Sequence, residues 1–201
     1  MQEINAKYNL KSLLENYRVV IPLIQRDYAQ GRKDKRTTEV RKKLLQDINT
    51  ALIDTNIGPL DLNFIYGKST NGKFIPLDGQ QRLTTLFLVY LFAYRDNDDC
   101  DFLGNFSYKT RNSSTKFFKS LVENRKNFFT ETKSPSEIIK DESWFADSWQ
   151  LDPTVQGALK TLDDISDSFD YGFDYVSVLS DRKSTRLNSS HSAKSRMPSS
   201  A

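Results

Sequence analysis

Residues 74–94 leave this chain few ways to fold. Phe74-Ile75-Pro76-Leu77 has the make-up of a short strand, and Asp78-Gly79 supplies the turn that ends it. Immediately afterwards Leu83, Leu86, Phe87, Tyr90, Leu91 and Tyr94 recur at helical spacing. A strand, a tight turn and a strongly apolar helix therefore follow one another with almost no connecting chain.

The other segments fit around that unit. Asn5 to Glu15 reads as an amphipathic helix with Leu10, Leu13 and Leu14 on one side, and Tyr17 to Ile21 as a strand stopped by Pro22. Val40, Leu44, Ile48, Ala51 and Leu52 predict a second helix. Asn63 to Tyr66 and Lys73 to Leu77 read as two strands joined by residues 67–72, with Asn71-Gly72 suited to positive φ. Phe102 to Phe173 carries sparser aromatic helical segments, and Pro153 fits the first turn of one, behind Asp152. With 201 residues and 37% apolar content, one core and a small second lobe are expected. The fold class is α+β: a mixed sheet with helices over residues 1–100, a partial helical lobe over 101–180, and a structureless tail over 181–201. Strand order does not follow from the sequence.

The tail changes the charge picture. The formal net charge is +3, yet residues 182–201 hold five of the 29 Lys and Arg and no acid, so residues 1–181 carry 24 basic and 26 acidic side chains. A body with a net charge of −2 is no general polyanion clamp, and phosphate contact must come from a local patch. The tail itself reads as a basic arm, as an end without a role, or as foreign sequence. Lys183-Ser184-Thr185-Arg186-Leu187-Asn188-Ser189-Ser190-His191 resembles translated adapter or vector sequence, which favours the third and implies a natural chain continuing past residue 180.

Several chemistries are excluded. The one histidine, His191, lies in the tail, so residues 1–181 offer no Ser-His-Asp triad, HNH nuclease site or His-based zinc site, and no metal-ligand set is assigned. Cys100, the single cysteine, sits among Asp98, Asp99 and Asp101, which disfavour a reactive thiolate. Without a signal-peptide pattern or a long apolar run, the expectation is a cytoplasmic protein with no membrane partner.

What remains is carboxylate, amide, guanidinium and backbone chemistry. A strand running into Asp78-Gly79-Gln80-Gln81-Arg82 and then a helix exposes the helix's first amides at the positive end of its dipole, which suits an anion. Gly79 would let a ligand approach the backbone, and Arg82 could grip two phosphate oxygens. Asp78 either caps the helix or holds hydrated Mg²⁺, and Gln80 or Gln81 could orient a water. Taken alone, the turn is explained more simply by an ordinary Asp-capped helix with a surface arginine. A second cluster, Ile21-Pro22-Leu23-Ile24-Gln25-Arg26-Asp27-Tyr28, also puts polar residues just past a strand.

Together, Ile21 to Tyr28 and Asp78-Gly79-Gln80-Gln81-Arg82-Leu83-Thr84-Thr85-Leu86 resemble the N-terminal domain of the GmrSD restriction family, with weaker likeness at 45–48, 106–114 and 149–156. Gln30 stands where the family usually has Trp. The resemblance implies a ParB/sulfiredoxin-like core that binds and hydrolyses a nucleoside triphosphate with Mg²⁺ and licenses DNA cleavage in phage defence. Gln25, Arg26, Asp78, Gly79, Gln80, Gln81 and Arg82 inherit the nucleotide-binding role, and Asp78, Gln81 and Arg82 the catalytic one. Cleavage itself would belong to a C-terminal HNH-type half. The competing expectation is a non-catalytic ParB-like module that binds DNA or protein.

Three lesser features complete the reading. Tyr108 to Lys116 has a composition able to meet DNA, although a helix start capped by Ser113 or Ser114 explains it more simply. Trp144, Phe145 and Trp149 fit a lobe core. Lys68 is a possible phosphate ligand or a solubilising hairpin lysine.

Overall fold

The structure, a computed structural model, describes residues 6–22, 28, 34–54, 56, 60–61, 65–109, 111–180 and 187–192. In chain order the elements are β1 (Ala6–Tyr8), α1 (Leu10–Asn16), β2 (Arg18–Ile21), α2 (Lys35–Ile53), β3 (Leu60–Asp61), β4 (Ile65–Thr70), β5 (Lys73–Pro76), α3 (Gln80–Ala93), β6 (Phe106–Tyr108), α4 (Asn112–Glu123), α5 (Pro135–Asp141), α6 (Pro153–Ser168), α7 (Tyr175–Ser180) and β7 (Leu187–Ser192). The expected α+β class with a mixed sheet and helices is the one observed.

The central sheet runs β4-β5-β2-β6. β5 and β6 both pair parallel to β2, while β4 and β5 form an antiparallel hairpin. Its turn is Asn71-Gly72, with φ of 49° and 69°, as the Asn-Gly pair implied. The hairpin is longer than expected, because Gly67 to Thr70 continue β4 and pair with Lys73 to Pro76.

α3 is the axis of the core. Every residue from Leu83 to Ala93 is buried, so the helix is enclosed on all sides. Phe87 stacks on Phe106 of β6 at 4.4 Å between ring centroids, and its far end buries Phe92 among Phe129, Phe169, Tyr171 and Tyr175. α6 packs alongside. One buried cluster extends from Leu10 to Leu179, and it includes Phe145 and Trp149, as expected for those aromatics. β6, beyond residue 100, completes the sheet begun by β2.

Other departures have local causes. Asn5 to Glu15 is not one helix: Asn9 caps α1 by accepting from the Ser12 amide at 2.8 Å, which leaves Ala6–Tyr8 as β1. Val40 is 54% exposed, on the outer side of α2. Within the segment expected to be structureless, residues 187–192 form β7, antiparallel to β1 and parallel to β3 and β4. Among the described residues no helix is long and apolar enough to cross a membrane.

α2 is fastened to α6 by a buried ion pair. Arg41 Nε donates to Asp164 Oδ2 at 2.6 Å, with both side chains almost fully enclosed, and Lys160 Nζ reaches Asp164 Oδ1 at 3.0 Å. Removing one member of such a pair strands a buried charge. Asp164→Asn should lower the unfolding free energy by ~3–5 kcal/mol, read as a shift of the urea midpoint at pH 7. A midpoint within error of wild type would mean that the pair holds nothing.

Candidate functional site

The site is fixed by strand direction. Since β5, β2 and β6 run parallel, their carboxyl ends at Pro76, Ile21 and Tyr108 share one edge of the sheet. The two sequence clusters leave from neighbouring strands there, with Lys109 beside them donating its amide to the Ile21 carbonyl at 2.8 Å. In open sheets the carboxyl edge is where ligands settle.

The Asp78 turn is built by backbone bonds and close packing. Tyr66 O accepts the amides of Leu77 and Asp78 at 2.8 and 3.1 Å, and Leu83 donates to Gly79 O at 2.9 Å. Gly79 is the N-cap of α3 at φ 81°, ψ 7°, a left-handed conformation that glycine tolerates. A Cβ at this position would lie 2.6 Å from Ile65 Cγ1. The bare side of Gly79 thus faces Ile65, which gives the residue a packing role. Gln80 is buried and donates its side-chain amide to Pro76 O at 2.9 Å, which ties the helix start back to the strand.

Asp78, Gln81 and Arg82 are placed differently. Asp78 does not occupy the cap position, and its side chain is 60% exposed. Its Oδ2 stands 3.8 Å from an Arg82 guanidinium nitrogen, and Arg82 is 25% exposed. Gln81 is half-buried, and its carbonyl accepts the Thr85 hydroxyl at 3.1 Å. Gln25 and Arg26 lie outside the described residues.

Two residues organise this edge in ways the sequence did not disclose. Tyr28, the last residue of the first cluster, is buried with its hydroxyl 2.8 Å from Thr85 Oγ1 of α3 and 3.1 Å from Thr161 Oγ1 of α6. Burial pushes its phenol above the ordinary value, against the opposing hydrogen bonds from Thr161 and Thr85. Asp152 caps α6 by accepting from the Thr154 and Val155 amides, and its other oxygen accepts Ser113 and Ser114 hydroxyls at 2.5 and 2.7 Å. Arg111 adds an ion pair at 3.4 Å. Ser113 and Ser114 therefore bond across to α6, and the N-cap of α4 is Arg111. Only the Asp-Pro order hinted at the cap.

The acidic runs show no grouping for metal: among the described residues no three His, Cys, Asp or Glu side chains could hold an ion. Asp98 and Asp99 instead face Lys126, Arg125 and Lys11. Burial, reinforced by Asp101, Asp98 and Asp99, raises the Cys100 thiol against the pull of Arg125.

Compared with known families, residues 10–194 match the one described as GmrSD restriction endonuclease, N-terminal domain. This chain belongs to that family. Both clusters fall inside the matched range, so the GmrSD-type domain contains the whole carboxyl edge described above. No curated protein and no solved structure matches the chain.

Two outcomes follow for this edge. Gly79→Ala should cost ~1–3 kcal/mol through its positive φ and its contact with Ile65, lowering the melting temperature by several degrees. An unchanged melting temperature would show that the turn adapts freely. For Asp152, burial alone would raise the carboxyl, but hydrogen bonds from Ser113, Ser114 and the two amides outweigh it and hold it below the ordinary value. Its contribution is thus present above about pH 4 and is lost as acid takes the pH through the depressed value. Asp152→Asn should lose ~1–2 kcal/mol at pH 7 and show a flatter stability curve than wild type between pH 5 and 2. Parallel curves would contradict this.

Proposed function

We propose that the carboxyl edge of β5, β2 and β6 binds a nucleoside triphosphate with Mg²⁺, and that its hydrolysis serves a modification-dependent GmrSD-type restriction protein acting against phage DNA in the cytoplasm. The observation carrying this reading is that the two clusters begin at the same end of two neighbouring parallel strands, β2 and β5, beside a helix whose cap residue brings no side chain to its first amides. Those amides and the dipole favour phosphate oxygens.

The described residues fit such a ligand. Arg82 is close enough to the turn to exchange its loose Asp78 contact for bidentate phosphate bonding. Asp78, mostly exposed, can hold a hydrated Mg²⁺ whose remaining ligands are waters and phosphate oxygens, which is how this ion usually binds. Gln81 can orient the attacking water, while Gly79 and Gln80 keep the turn in shape. Gln25 and Arg26, which follow β2 in the sequence, are assigned to the same ligand by the family resemblance. Cleavage of DNA is assigned to an HNH-type region elsewhere in the restriction protein, since residues 1–181 contain no histidine.

One observation favours a second reading. The Asp78 to Arg82 ion pair spans a single helical turn, as it would in a non-catalytic ParB-like module that binds DNA or protein and uses Arg82 for structure. Equilibrium binding of labelled NTP with Mg²⁺ separates the two. Arg82→Ala should weaken binding at least tenfold with an unchanged circular dichroism spectrum. Equal binding by both proteins would remove the nucleotide reading.

A further inference from the structure

The central sheet has one face against α3 and α4 and another that is partly bare. Val19, Ile21, Phe74, Phe106 and Tyr108 point inward. Alternation sends the neighbouring residues to the opposite face. There Tyr66, Lys68 and Thr70 of β4 lie beside Leu77, Ile75 and Lys73, and Arg18 of β2 is in register with Lys73. Tyr66 and Leu77 are 43% and 49% exposed, and Arg18, Lys68 and Lys73 are exposed as well.

The charge on this face is of one sign. None of β2, β4, β5 and β6 contains an Asp or Glu, and among the described residues Arg18, Lys68 and Lys73 form no ion pair. Among the described residues elsewhere, Lys11, Lys43, Lys119, Lys126 and Lys160 each have a carboxylate partner while Lys42, Lys116 and Lys140 form no ion pair, so what sets this face apart is that no acid lies among its cations. Register fixes the spacing of the three cations. Lys68 opposes Ile75, so Lys73 is its diagonal neighbour at roughly 7–8 Å, and Arg18 is one strand further at about 4.8 Å. Flexible side chains on that grid can reach successive phosphates of one strand of a duplex. The Tyr66–Leu77 pair at the end next to Asp78 offers an apolar contact for sugars or base edges.

We propose that this ribbon face docks double-stranded DNA, chiefly through its phosphate backbone, with Arg18, Lys68 and Lys73 as the phosphate ligands. The occupant is chosen by charge complementarity: three cations on strands that carry no acid fit a polyanion and repel a basic partner. The inference does not depend on nucleotide binding at the neighbouring edge, and its test contains no nucleotide.

Fluorescence anisotropy of the full 201-residue chain with a labelled 20-base-pair duplex, over a salt series, provides the test. A triple substitution, Arg18→Ala with Lys68→Ala and Lys73→Ala, should weaken binding at least tenfold near 100 mM salt. It should also lower the slope of log K against log salt by about 2–3, at roughly 0.9 per lost phosphate contact. A matched control, Lys42→Ala with Lys43→Ala and Lys119→Ala, should keep the wild-type slope. Tyr66→Ala should weaken binding while leaving the slope alone. Because every position is exposed, melting curves should stay within a few degrees of wild type. The proposal is overturned if wild type does not bind the duplex, if the triple variant binds like wild type, or if the control loses as much. That last result would assign binding to the basic residues of 182–201 or to the overall field.

Discussion

A helix that is apolar around its whole circumference has to be enclosed, and most of this molecule is arranged to enclose α3. The sheet takes one side through Phe87 and Phe106, α6 lies along another, and the aromatic residues after Phe128 close the far end around Phe92. Burial of so much apolar surface sets the position of the helix far more strongly than any single polar contact. Three polar residues it takes inside are satisfied: Gln80 donates to Pro76 O, Thr84 donates to Gln80 O at 2.9 Å and meets Tyr108, and Thr85 donates to Gln81 O and meets Tyr28. With α3 held on all sides, its N-terminus cannot drift from the sheet edge, and the chemistry of the Asp78 turn inherits that rigidity.

Where the apolar pattern decided the outcome, the sequence was informative. The α3 stripe, the β2 strand and the Asn71-Gly72 turn are local features, each set by side-chain period or by a backbone conformation that Asn and Gly favour. The two clusters were visible as motifs, but their adjacency was not. That adjacency depends on β2 lying between β5 and β6, a pairing of strands more than fifty residues apart. β7 escaped for a different reason: Leu187–Ser192 has no apolar period, and what places it in the sheet is the register of its backbone with β1, β3 and β4. The neighbour of Gly79 is Ile65, a contact no spacing rule exposes.

Polar cross-links carry information that the apolar core cannot. Asp152 gathers two helix starts and a guanidinium onto one carboxylate, and Asp164 joins α2 to α6 through Arg41. Hydrophobic contacts would tolerate a helix sliding by a turn, whereas a buried carboxylate with each oxygen committed would not. The helices around α3 are thus held in register as well as in contact. Arg111 stands at the carboxyl edge because Asp152 stands there, so the cap of α6 also shapes the charge beside the candidate nucleotide pocket.

Tyr28 also sets an order of events. Its hydroxyl needs Thr85, which is 57 residues away in the chain, and Thr161, which is 133 residues away. Loops closed over such separations form late, after the local helices and hairpin. On the ribosome, the anchor of the first cluster has no complete socket until α6 has emerged. The carboxyl edge therefore matures only when nearly all of the domain has been synthesised, and a stalled nascent chain would present the Asp78 turn without the wall beside it.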